Sequence, residues 1–296
     1  MGEQVFELIQ VAENTYYFDC PAKIGLYRLP DGSVILIDSG NDKEAGRKIL
    51  KSINEKNWKL DTIINTHSNA DHIGGNKFLA DRTGCKIYAN GMEKVFCEYP
   101  ILEPAFLFGA FPNKHLRHKF LLAESSPVND LKDFTLPQGM EIFPLKGHFF
   151  DMIGVKTPDD VNFMADVVFS EPVLKKYPVS FLYDIEGYLK TLDFIETMNG
   201  KLFVPSHTDP IEDIKPLVAL NRQKVQEVIN DIKKICETPL SFETLLKEMF
   251  DKCDVTMDIS QYALSGSTLR SYLSYMVDSN ILKTEIQNNI LLWDLA

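Results

Sequence analysis

Short β-rich runs divided by turn residues open the chain. Thr15-Tyr16-Tyr17-Phe18 and Ile24 to Leu29 predict strands, and Pro30-Asp31-Gly32-Ser33 predicts a turn. Ser33-Val34-Ile35-Leu36-Ile37 predicts a buried strand that ends at Asp38-Ser39-Gly40. From Lys43 to Asn57 the apolar period lengthens to that of a helix, with Ile49, Leu50 and Ile53 on one face. Asp61 to Thr66 is the next strand and runs directly into His67. Asn76 to Arg82 is helical and stops near Gly84, and Cys85 to Ala89 is a further strand. This alternation predicts a layered α/β architecture.

Residues 91–135 break the rhythm. Phe96, Tyr99, Phe106, Phe108 and Phe111 lie among Pro100, Pro104 and Pro112 without a clean period of 2 or 3.6. Such an insertion is either a lid or pocket wall, or a small satellite cluster under a long loop. Strands resume at Met140 to Leu145, Val161 to Ala165 and Lys201 to Pro205, each followed within a few residues by Asp or His. Beyond about residue 215 the pattern turns helical, over 217–236, 241–252 and 266–279. It closes with a hairpin, 281–286 and 290–293, around Gln287-Asn288-Asn289. The expected organisation is a catalytic domain over 1–214, carrying the 91–135 insertion, and a small helical, winged-helix-like module over 215–296.

Charge narrows the functional classes. Asp+Glu number 42 against 31 Lys+Arg, a net of −11, in a chain of 296 residues with 45% hydrophobic and 25% charged residues. That is the composition of an ordinary globular protein, and its acidity argues against gripping nucleic acid or anionic lipid. The tail carries 13 acidic and nine basic residues over 211–296, a net of −4, so it lacks the basic face that phosphate contacts need. Packing, dimerisation or covering a pocket are the roles expected of it. There is no apolar run long enough to span a membrane, and Met1 to Phe6 lack the basic and apolar regions of a signal peptide. The five cysteines (20, 85, 97, 236 and 253) are odd in number, without a CxxC pair. The expectation is free thiols in a reducing cytoplasm.

The chemistry concentrates in His67-Ser68-Asn69-Ala70-Asp71-His72-Ile73-Gly74-Gly75-Asn76, immediately after a strand. Imidazoles and a carboxylate crowded on a strand-to-helix loop are donors that suit zinc or iron. Gly74 and Gly75 would let backbone approach closely there. His148, Asp166 and His207 stand in the same context, at strand ends, so four of the six histidines fit one site. His115 and His118 fall in the insertion. They are either a solvated polar stretch or, for one of them, a pocket contact or replacement ligand.

In these residues the chain resembles the metallo-β-lactamase-fold hydrolase superfamily. The family motif H-x-H-x-D-H follows a strand, and a His, an Asp and a His come later in that order. Asp38 also matches the family's early strand ending in Asp. The resemblance spans roughly residues 5–212 and implies a four-layer αββα sandwich. It implies one metal position formed by His67, residue 69 and His148, a second by Asp71, His72 and His207, and Asp166 bridging them. The second motif histidine is Asn69 here, a neutral and weaker donor to zinc, so the second position is expected to be filled and the first weak or served by another metal. The implied cofactor is a divalent metal, Zn2+ in one or two ions, with iron or manganese as alternatives. The implied reaction is metal-dependent hydrolysis of a small ester, thioester or lactone, with Asp71 and Asp166 as catalytic carboxylates and Asp38 supporting a ligand histidine. Iron-dependent redox chemistry on the same fold and a catalytically impaired metal-binding sensor are the alternatives.

Overall fold

A computed structural model of the chain describes residues 6–296. Its first sheet begins with an antiparallel meander, β1 (Glu7–Gln10), β2 (Thr15–Asp19), β3 (Ile24–Arg28) and β4 (Ser33–Ile37). It continues in parallel from β4 through β5 (Lys59–Asn65) and β6 (Lys86–Ala89) to the short β7 (Asn129–Asp130). The parallel crossovers carry α1 (Lys43–Glu55), α2 (Ala70–Ile73) and α3 (Asn76–Thr83). β4 is buried along its whole length, as its unbroken apolar run requires of a strand covered on both faces.

The first part of the insertion is helical, whereas 109–128 holds only a 3-10 turn at Lys114–Leu116. That first part forms α4 (Gly91–Glu98) and α5 (Leu102–Phe108), each too short to show a clear helical period, with Pro100 and Pro104 punctuating the pair. The second sheet then runs in the order β11-β10-β9-β8, built from β8 (Glu141–Pro144), β9 (Ile153–Lys156), β10 (Val161–Ala165) and β11 (Leu202–Pro205). Between β10 and β11 lie α6 (Glu171–Lys176) and α7 (Ile185–Glu196).

Three apolar cores separate four layers. Leu26, Val34 and Leu36 meet Ile49, Ile53 and Leu79 beneath α1 and α3. The opposite residues of the same strands, Tyr27, Ile35 and Ile37, meet Val155, Val161 and Phe163 of the second sheet. On the far side, Leu145, Met152 and Phe203 pack against Tyr188 and Leu192 of α7 and against α8 (Lys215–Ile235). The period-2 alternation of each strand thus divides its side chains between two cores.

The third core runs on into the tail: β12 (Leu240–Ser241), α9 (Phe242–Lys252), α10 (Ile259–Asp278) and the hairpin β13 (Leu282–Gln287) and β14 (Ile290–Leu295). The hairpin turns at Asn288 and Asn289, both at positive φ, as a two-residue turn favours. α10 starts seven residues earlier than the sequence pattern implied. Asp258 caps it by accepting from the Gln261 amide, and buried Ser265, Gly266 and Thr268 lie within the helix, where small side chains allow close packing. Leu107, Leu116 and Leu121 of the insertion form a satellite cluster with Ala263 of α10. No helix among the described residues is long and apolar enough to cross a membrane.

Candidate metal centre

The site forms where the two sheets present their strand ends. β4 delivers Asp38 in the left-handed region, at φ 68°. β10 delivers Asp166 directly after Ala165, at φ 48°, next to a register shift between Phe163 and Ala165. A non-glycine residue there costs about 1–2 kcal/mol, and strain of this kind concentrates at functional sites. Close backbone approach fixes the rest. The Ser39 amide donates to the His72 carbonyl (2.8 Å), and a Cβ on Gly74 would collide with the Asn41 backbone at 2.3 Å. Gly147, at φ 118°, lies where a Cβ would strike the Tyr188 backbone, which sets the direction of His148.

The structure brings His67, Asp71, His72, His148, Asp166 and His207 together, with Asp38 behind them. Three overlapping groups, Asp38-His67-His72, His67-His148-Asp166 and Asp71-His72-His207, each hold their donor atoms within 4.8 Å of one another. One Asp166 oxygen lies 3.1 Å from His72 Nε2; the other lies 3.0 Å from His207 Nε2 and 3.7 Å from His148 Nε2. Asp71 Oδ2 is 3.5 Å from His207 Nε2 and is more open to solvent.

Every one of these histidines is held through Nδ1. His148 donates to the Phe181 carbonyl (3.0 Å) and His207 to the Pro21 carbonyl (2.8 Å). His72 Nδ1 meets Asp38 Oδ2 at 2.8 Å. The Thr66 hydroxyl donates to Asp38 (2.7 Å), so it is free to accept from His67 Nδ1 at 3.0 Å. All four Nε2 atoms therefore face inward. His67 Nε2 is buried without a hydrogen-bond partner, and His72 Nε2 and Asp166 Oδ1, 3.1 Å apart, are buried without a well-aligned one, a disposition that suits a cation as common partner. The residues present fit a divalent metal.

Burial and neighbouring charge oppose each other across the cluster. Burial pushes the His67 imidazole well below its ordinary value, and neighbouring His72 adds to that. Burial acts the same way on His72, but Asp166, Asp38 and Asp71 outweigh it and hold that imidazole well above the ordinary value. His207 opposes burial with Asp166 and Asp71 and is raised to about 10. Asp166, although buried, is held well below the usual carboxylate range by His207 and His72.

Asn69 stands in the same cluster. Its Oδ1 is 3.1 Å from His148 Nε2, and its Nδ2 donates to Glu103 Oε1 at 2.8 Å. His115 is exposed, and His118 faces Ser260 Oγ at 3.3 Å, on the insertion's contact with α10. The insertion packs in two directions. Phe106 makes ring contacts with Phe149, Phe150 and Tyr183, and Phe149 lies beside His67, while Leu107 and Leu116 belong to the satellite cluster.

Sequence reasoning missed two buried carboxylates, Glu93 and Glu103, which α4 and α5 send back to the loop that carries His67 and His72. Glu93 accepts from Ser68 N (3.0 Å), Ser68 Oγ (2.5 Å) and Asp151 N (2.8 Å). The one available signal was a glutamate among apolar neighbours on a short helix. Burial lifts the Glu93 carboxyl to about 7 against the opposing pull of the Ser68 hydroxyl. Its folded-state value therefore exceeds its ordinary one. The stability it contributes is present below about pH 4.5 and is lost as pH rises through about 7, an amount of about 3 kcal/mol. Thermal melts of chelator-treated Glu93→Gln and the parent chain should thus shift relative to one another between pH 5 and pH 8, in favour of the variant at the higher pH. Parallel curves would refute that assignment.

The family model of the metallo-beta-lactamase superfamily matches residues 17–207, most of the chain. The chain belongs to that superfamily. Its metal-binding character and four-layer sandwich follow. A beta-lactamase domain protein from Burkholderia ambifaria superposes with a TM-score of 0.77 at 18% identity, covering 98% of this chain and 94% of that one. A metallo-beta-lactamase family protein from Thermus thermophilus gives 0.71 at 15%, covering 99% of both. At such identities the likeness is one of fold. A hydroxyacylglutathione hydrolase from Erythrobacter litoralis (strain HTCC2594) is 41% identical over 56 residues, 18% of this chain. That match spans 22% of the length of that relative.

Proposed function

We propose that this member of the superfamily is a metal-dependent hydrolase of a small thioester, ester or lactone, with zinc as the resident ion. The observation that carries the reading is the set of four inward-facing Nε2 atoms around Asp166, three of the cluster's atoms being buried without a well-aligned partner. His67, Asn69 and His148 would hold one ion, Asp71, His72 and His207 a second, and Asp166 would touch both. A divalent ion bound there supplies an acidified water, with a pKa near about 7, and polarises the acyl carbonyl. Asp166 fixes the spacing of the opposing imidazoles. Asp71, the most exposed carboxylate of the cluster, would use the oxygen that does not face the imidazoles to take the proton released as water adds to the acyl carbon and return it to the thiolate or alkoxide that departs as the acyl bond breaks. Asp38, the Thr66 hydroxyl and the Phe181 and Pro21 carbonyls would keep the four imidazoles in the tautomer that leaves Nε2 bare. Phe149, Phe150 and Phe181 exclude bulk water and receive the apolar acyl portion.

The thioester preference is supported by the hydroxyacylglutathione hydrolase likeness, which is confined to a short segment. The test is release of free thiol from an S-acyl glutathione by the full chain, before and after stripping with a chelator. Activity should fall by more than about 100-fold on stripping and return with Zn2+. Undiminished turnover by metal-free protein would sink the reading. A second reading, iron-dependent redox chemistry, is favoured by the oxygen donor at Asn69. Iron in protein purified without added metal, together with oxygen consumption, would support it instead.

A further inference from the structure

Asn69 is the N-cap residue of α2, yet its side chain makes no capping hydrogen bond. Asparagine at that position ordinarily accepts from an amide of the first helical turn. Here both polar ends of the carboxamide are engaged elsewhere. Nδ2 donates to Glu103 Oε1 at 2.8 Å, and Oδ1 lies 3.1 Å from His148 Nε2. Because His148 Nδ1 donates its hydrogen to the Phe181 carbonyl, Nε2 carries a lone pair. Two acceptors therefore face each other at hydrogen-bonding distance, an arrangement that a shared cation relieves. A carboxamide rotated by half a turn would donate to His148 and close a metal-free hydrogen bond. Glu103 opposes that rotation. It is 5% exposed, and its Oε1 accepts the carboxamide NH2.

We propose that Glu103 is a positioning residue that holds the Asn69 carboxamide with its oxygen toward the metal centre, making Asn69 an oxygen ligand beside His67 and His148. The inference rests on the metal-dependent reading above and adds a chain-specific element to it. The position vacated by the motif histidine is rebuilt by a pair, one partner in the loop and the other 34 residues away in the insertion. Glu103 lies one helical turn from Leu107 of α5, which packs against Ala263 of α10, so the insertion that joins the tail also sets the donor at the first metal position. An amide oxygen in place of imidazole lowers the preference of that position for zinc over manganese.

The test is metal binding rather than turnover. The full chain, stripped of metal, is titrated with Zn2+ and separately with Mn2+ against a competing chelator, alongside Glu103→Gln, Asn69→His and the double variant. The parent should bind one ion tightly and a second more weakly. Glu103→Gln should weaken the second by about tenfold, the loss typical when a group orienting a ligand is removed, and leave the first within about twofold. In the Asn69→His background the same substitution should change neither ion by more than about twofold, because an imidazole leaves no carboxamide to orient. Asn69→His alone should raise the zinc-over-manganese preference of the weaker position. Glutamine acts by offering an NH2 that can donate to the Asn69 oxygen and turn it from the metal; if melting shows Glu103→Gln unfolded, Glu103→Asp retains the carboxylate and should fall between parent and Asn69→Ala in the weaker affinity. The proposal is overturned if Glu103→Gln alters neither ion, alters both equally, or acts as strongly with His at position 69. A parent chain that binds no metal overturns the metal-dependent reading itself, which distinguishes the two failures.

Discussion

Replacing Asp166 by Asn is expected to eliminate metal binding while leaving the chain folded. Asp166 is the one carboxylate that faces His72, His148 and His207 together, at 3.1, 3.7 and 3.0 Å. Asparagine offers a single oxygen and turns an NH2 toward an imidazole. It supplies less charge, and it donates a hydrogen where an electron pair is wanted. Groups that merely orient a ligand are worth about 10–100-fold in metal affinity, so loss of a shared ligand should exceed about 100-fold, and hydrolysis should fall with it. The fold should survive, because the NH2 can donate to a neutral Nε2 and close the cluster without an ion. Differential scanning fluorimetry separates the two effects. At 100 times its dissociation constant an ion bound only by the folded state stabilises the parent by about 2.7 kcal/mol, and that metal-induced rise in Tm should vanish in Asp166→Asn. In chelator the two chains should melt within a few degrees of each other. A variant that keeps the metal-induced rise would show that the ion binds elsewhere.

The parts of this molecule that could be read along the chain are those whose signal is local. β4 and β5 announce themselves as apolar runs ending in polar residues, and the clustered histidines follow strand ends. Their convergence needed the sheets, but their identity and context needed only the sequence. α4 and α5 were not legible, because helices of eight and seven residues among prolines complete too few turns to display a period. α7 displays one, with Ile185, Tyr188, Leu192 and Ile195 buried along one face, and it is recognisable once its strand neighbours are placed. Glu93 and Glu103 belong to a different class. Their partners, Ser68 and Asn69, are adjacent in the chain, yet the two glutamates reach them across 25 and 34 residues through elements with no pattern of their own. A buried carboxylate gives no periodic signal, since its acceptors are satisfied by tertiary contacts. Asn69 was therefore visible as a departure from the motif that the chain resembles, whereas the glutamate that accepts its Nδ2 was not.

The largest effect on stability is expected at Asp38. Its carboxylate receives Thr66 N (2.7 Å), Thr66 Oγ1 (2.7 Å) and His72 Nδ1 (2.8 Å), all within the core. Asp38→Ala strips all three donors of their acceptor, and water cannot enter to replace it because the residue is 2% exposed. It also places a Cβ without a hydrogen-bonding side chain at φ 68°. A loss of about 3–5 kcal/mol follows, comparable to breaking a buried ion pair from one side, or about 10 °C in Tm for a chain this long. Asp38→Asn separates the contributions. Asparagine tolerates the left-handed backbone and keeps one acceptor, so most of the melting temperature should return. It cannot hold His72 with the same charge, and an imidazole released at Nδ1 can present its proton, rather than its lone pair, at Nε2. Metal affinity in Asp38→Asn should thus remain about 10–100-fold below the parent even where stability is recovered. If affinity and stability return together, Asp38 acts only as a buried anchor for the Thr66 turn. If stability returns and affinity does not, the carboxylate sets the tautomer of His72, and the strained geometry at the end of β4 exists to hold that carboxylate in place.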